Sequence, residues 1–184
     1  KNFKPLTSIH EFSEVIWTLI QKLKLDSPIV IGVPIGGDIT LDMAVHHGPN
    51  MRAAIVCEAA GRTPPYSNRL IEFGLEDSGI PSYSDQGYLI GLSASGIKAH
   101  QNRILEIAWT RRMGDPKIYY SDLKAWRDHD VRAQLHQISC PVLIVWGNED
   151  YFVPYELVEE TIRKIPKVQL AILDGIGHYP HIET

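Results

Sequence analysis

The first strong pattern along the chain is an apolar stripe. Phe12, Val15, Ile16, Leu19, Ile20 and Leu23 recur at the spacing of one helix face and stop at a breaker over 24–28. Ser8 followed by Glu11 has the capping-box spacing that opens such a helix. Short runs rich in β-branched residues, apolar on both faces, then recur at Ile29–Gly32, Ala53–Cys57, 142–146 and Val168–Leu173, and each predicts a buried strand. Gly36-Gly37 marks a tight turn after the first of these, and 39–47 has the pattern of a second helix. Strands separated by helical or irregular sequence build a mostly parallel sheet with flanking helices, so the fold class is α/β.

Between Gly61 and Gln137 the strand rhythm is interrupted. Helical stripes over 103–113 and 121–130 and turn signals at Thr63-Pro64-Pro65 and Gly114-Asp115-Pro116 predict a helical cap whose two ends return to the sheet. Residues 1–60 and 138–184 then form the core, and 61–137 the cap insertion.

Bulk properties narrow the choice of partner. A chain of 184 residues with 44% hydrophobic content suits one domain, and a net charge of -4 advertises neither nucleic acid nor a membrane surface. Cys57 and Cys140 sit in apolar strand-like runs, where a small buried hydrophobe fits without a disulfide. The sequence has no apolar leader pattern at its start and no run of transmembrane length, so the expected location is cytoplasmic.

Three local patterns then fall in a meaningful order. Ile29-Val30-Ile31-Gly32-Val33-Pro34-Ile35-Gly36-Gly37 is a strand followed by a glycine-flanked turn; Pro141 to Pro154 carries Trp146-Gly147-Asn148-Glu149-Asp150; Gly175-Ile176-Gly177-His178-Tyr179-Pro180 follows the last strand. Together they resemble the α/β-hydrolase family across essentially the whole chain: its nucleophile elbow, its catalytic-acid loop and its histidine loop. The resemblance implies an acid at Asp150, a general base at His178, and a nucleophile at the position of Pro34, with the backbone around Ile35 and Val33 serving an oxyanion. Glu58, at the end of its strand, is where some relatives place the acid, though capping or salt bridging is the plainer reading. Hydrolysis of a small apolar ester or related carbonyl compound is the implied activity, and no cofactor is implied.

Pro34 departs from that pattern. Proline offers no hydroxyl, thiol or carboxylate, and its ring fixes φ near -65°, whereas an elbow nucleophile is held with positive φ. The sequence therefore predicts a wider or differently shaped turn, with a shifted helix start. Two functions remain open: an impaired or unconventional hydrolase, in which His178 activates a water, and a non-catalytic protein that binds a small-molecule ligand or a partner in the same pocket.

Other candidates carry milder readings. Asp38 and Asp42 complement the dipole of their helix. Tyr83, Tyr88, Trp109, Tyr119, Tyr120 and Trp126 are cap aromatics, of which Trp109, Tyr120 and Trp126 are expected at the pocket. His46, His47, His100, His129 and His136 show no ligand spacing with Cys or carboxylates, so no metal is expected. The family's sheet has strands before the elbow strand that this sequence lacks, so that edge is expected to be covered by a second chain or by a missing N-terminal segment.

Overall fold

The structure is a computed structural model and describes residues 5–65 and 83–184. Its centre is a four-stranded, all-parallel sheet of β1 (Ile29–Gly32), β2 (Ala53–Cys57), β3 (Val142–Gly147) and β4 (Val168–Leu173), in that spatial order. Register is continuous: Ile31 lies opposite Ile55, Val56 opposite Ile144, and Ile144 opposite Leu170. The apolar runs become strands because an all-parallel sheet buries side chains on both faces under its crossover helices. Ala54, Val56, Val142 and Ile144 are buried there with Leu41, Met43 and Ala44 of helix α2 (Ile35–His47) and Leu157 and Val158 of α6 (Tyr155–Ile162).

Helix α1 (Ile9–Lys22) starts where the capping spacing places it. The Ser8 hydroxyl accepts the Glu11 N–H at 3.1 Å, while the Glu11 carboxylate reaches one residue further back, to the Thr7 N–H at 2.5 Å. The apolar stripe, however, is divided. Ile20 is buried in the core and Phe12 and Ile16 are partly buried, with Trp17, outside the stripe, buried beside them, whereas Val15, Leu19 and Leu23 are more than half exposed. The exposed half is of a kind with β1, whose outer edge has no strand beside it among the described residues and whose Ile29 and Ile31 are 52% and 63% exposed.

Between β2 and β3 lie α3 (Tyr83–Ser93), α4 (Gln101–Arg112) and α5 (Pro116–Arg127). The latter two begin earlier than the apolar stripes predict. His100 caps α4 by accepting the Asn102 N–H at 3.3 Å, and α5 opens on Pro116, whose missing N–H costs nothing in a first turn. Helix α3 has no clear apolar periodicity in the sequence, and Gly87 and Gly91 fall within it. A short α7 (Pro180–Glu183) follows the histidine loop. No described helix is long and apolar enough to cross a membrane.

Candidate active site

The carboxyl ends of the parallel strands converge on one place, as α/β sheets require of a ligand site. Asp150 follows β3 and His178 follows β4, and His178 Nδ1 lies 2.9 Å from Asp150 Oδ2, with both residues buried. A carboxylate at that distance keeps the proton on Nδ1 and leaves Nε2 as the acceptor. Asp150 is itself oriented, since its Oδ1 accepts the Phe152 N–H at 2.7 Å. Phe152 stands against the imidazole with ring centroids 4.7 Å apart.

Glu183 holds the histidine loop. Its buried carboxylate accepts the N–H groups of Gly177 at 2.7 Å, Tyr179 at 2.8 Å and Gly96 at 2.8 Å. One α7 side chain thus fixes the backbone on both sides of His178 and ties it to the segment after α3. The His178 N–H donates to Ala94 O at 2.8 Å, adding a second tie to that segment.

The sequence predicts a wider or differently shaped turn with a shifted helix start; the turn is not wide, and its shape at Pro34 is an uncommon one. Helix α2 begins at Ile35, immediately after Pro34, and the turn is tight: Gly36 N–H donates to Val33 O at 3.0 Å and Gly37 N–H to Pro34 O at 2.8 Å. Pro34 adopts φ 4° and ψ -94° as the N-cap. Close approach dictates this path. A Cβ on Gly32 would meet Gly36 O at 1.9 Å, and one on Gly37 would meet the Ala59 Cβ at 2.6 Å. Two glycines therefore let α2 press onto β1 and β2, and the turn must follow.

Val33, Pro34, Ile35 and His178 line one cavity of about 230 Å³, roofed by Leu123 and Trp126 of α5. Ile35 is the first residue of its helix, so its N–H has no intrahelical acceptor and is free to serve an anion. No Ser, Thr or Cys is among the described residues lining the cavity. Cys57 is buried and burial pushes its thiol up to about 11, so it offers no thiolate.

Two buried acids share this cavity. Glu58 accepts the Gly147 N–H at 2.7 Å, and burial first, then the neighbouring Asp150 carboxyl, pushes it up to about 10. Glu58 therefore stands beside the dyad's acid with its carboxyl held above the usual carboxylate range, and it occupies φ 52°. Asp38 accepts from Trp126 Nε1 at 2.7 Å and from the Ala60 N–H at 3.3 Å, yet burial still raises it to about 8. Read from the sequence as a dipole partner, Asp38 instead bonds the α5 indole across the cavity wall. Arg111 of α4 also lines the wall and donates to the Tyr179 hydroxyl at 2.6 Å. Arg111 had no sequence signal because Tyr179 is 68 positions away, and the role of Glu183 was hidden because its carboxylate also reaches Gly96, 87 positions away.

The aromatics divide. Trp126 lines the cavity as expected; Trp109 does not, being half exposed and edge-on to Tyr88, with the Arg112 guanidinium 5.4 Å from its ring. The side chains of Tyr83, Tyr119 and Tyr120 lie outside the described residues.

A family model of the alpha/beta hydrolase fold matches residues 3–184. The chain belongs to the α/β-hydrolase family. A pimeloyl-(acyl-carrier protein) methyl ester esterase of Vibrio atlanticus is 21% identical over 188 residues, covering 94% of this chain and 73% of that protein. Among solved structures, a thermophilic esterase from Thermogutta terrifontis superposes with a TM-score of 0.86 at 19% identity, over 99% of this chain and 70% of the other. An enol-lactonase from Burkholderia xenovorans gives 0.86 at 18% identity, over 100% and 70%. In this α/β-hydrolase the segments after β3 and β4 are joined through Asp150 and His178, and the tip of the turn between β1 and α2 is Pro34.

Proposed function

We propose that the chain is a hydrolase of a small, largely apolar ester or related carbonyl compound, in which a water replaces the side-chain nucleophile. The carrying observation is the buried His178–Asp150 pair, 2.9 Å apart, with His178 on the wall of a small cavity where no Ser, Thr or Cys is among the described lining residues. Water attacks the carbonyl carbon and gives a proton to His178 Nε2. Collapse of the tetrahedral intermediate breaks the ester bond, and the departing alkoxide takes that proton. The Ile35 N–H at the start of α2 faces the developing oxyanion, and the apolar walls from Val33, Leu123, Phe152 and Val153 suit an apolar acyl group. Low-identity relatives that are named as esterases support the class of reaction.

Pro34 favours a second reading, in which the same cavity binds such a ligand without turning it over. Turnover of p-nitrophenyl acetate separates the two. Hydrolysis above buffer background that falls by about 10²–10⁴-fold in His178→Ala is the expected result for a general base. Equal background rates for both proteins overturn the enzymatic reading and leave ligand binding.

A further inference from the structure

On the far side of α2 from the sheet, three ligating side chains meet that are scattered in the sequence. His10 lies in the first turn of α1, while Asp42 and His46 are one turn apart on α2. His10 Nδ1 is 3.0 Å from Asp42 Oδ1, His46 Nε2 is 3.7 Å from Asp42 Oδ2, and the three donor atoms all lie within 4.8 Å of one another. The imidazole centroids are 4.4 Å apart. We propose that His10, Asp42 and His46 form a binding site for a divalent transition-metal ion of the zinc class, with water completing its shell.

Four features carry this. The donor set is two imidazoles and one carboxylate, which suits zinc and excludes the all-oxygen shells of calcium and magnesium. Donors about 2.0–2.1 Å from a tetrahedral zinc ion stand roughly 3.4 Å apart, and the carboxylate offers one oxygen to each imidazole near that distance, Oδ1 to His10 at 3.0 Å and Oδ2 to His46 at 3.7 Å. Asp42 is 3% exposed and its carboxylate lies against both imidazoles, so a bound ion would take the place of a proton on His10, whose pKa the Asp42 hydrogen bond raises. The Ser13 hydroxyl, itself buried, donates to Asp42 Oδ1 at 2.5 Å and orients it, as groups behind a metal ligand do.

The ion also has access and room. All three residues line a groove of about 310 Å³, and both histidines are exposed along it. His129 lines the same groove; it is buried, and its Nε2 makes no hydrogen bond. Asp128 and Asp130 stand across the groove but pair with Arg127 and Arg132, so they lie outside the donor set. Spacing along the chain pairs Asp42 with His46 one turn on, but not with His10, which is 32 positions from Asp42. A bound ion ties the start of α1 to the helix that opens at Pro34.

The test is calorimetric titration of chelator-stripped protein with zinc chloride, beside thermal melts. One ion per chain is expected, with a higher Tm. His10→Gln and His46→Gln should each weaken binding at least about tenfold, and Ser13→Ala by about 10–100-fold, the usual cost of losing a group behind a ligand. His136→Gln, which changes an exposed histidine elsewhere, should bind as the parent does. Melts without zinc establish that each variant is folded. Absence of stoichiometric uptake, or uptake unchanged in both His10→Gln and His46→Gln, overturns the site.

Discussion

The two halves of the candidate active site are built to different standards of chemistry. On the acid and histidine side, each functional atom has a partner: Asp150 holds Nδ1, the Phe152 N–H holds Asp150, and Glu183 anchors the loop at three backbone groups. On the elbow side the backbone is equally well made, with α2 starting directly after Pro34, but the side chain at the tip carries no reactive atom. The contrast separates two things that usually arrive together. The elbow's shape comes from glycine-permitted packing of α2 on the sheet, and its reactivity from one side chain, so the second can be absent while the first persists.

The sharpest way to break this comparison is Pro34→Ser. If the shape is independent of the residue, a serine there should gain fluorophosphonate labelling and raise ester turnover by about 10²–10⁴-fold, the range that a positioned base contributes. Failure to label, measured on a variant that melts normally, means that the turn itself has changed. Next in size is Gly32→Ala, whose Cβ has no room against Gly36 O; a loss of about 3 kcal/mol or more is expected in urea melts. On the opposite side, Glu183→Ala strips three buried N–H groups of their acceptor and should cost about 1–3 kcal/mol, with a larger loss of activity than of stability.

A pH effect concerns Asp38. Burial holds its folded-state value at about 8, far above that of an unfolded aspartate, so the folded protein keeps a proton that the unfolded chain releases. Stability should therefore fall as pH rises between the ordinary carboxylate range and pH 8, by up to about 1.4 kcal/mol per pH unit from this group. Asp38→Asn should flatten that part of the profile in urea melts at stepped pH. An unchanged slope means that the carboxyl ionises in the folded protein.

Much of this was legible in the residues. The four strands, the capped start of α1 and the pairing of Asp150 with His178 followed from apolar runs, capping spacing and motif order. Other features were not: α3 has little periodicity, half of the α1 stripe is exposed, and Trp109 points away from the cavity it was expected to line. In each case the deciding contacts come from residues distant in sequence, which local pattern does not report.

By itself, then, the sequence determined the parallel α/β core, the family and the absence of a nucleophile at Pro34, because these depend on residue identity and on periodicity within single elements. Only the tertiary structure decided that the turn is closed, that Glu58 is buried beside Asp150, and that His10 joins Asp42 and His46. Those outcomes depend on which surfaces pack and how much water they exclude, and burial sets both the path of a backbone and the charge of a carboxyl.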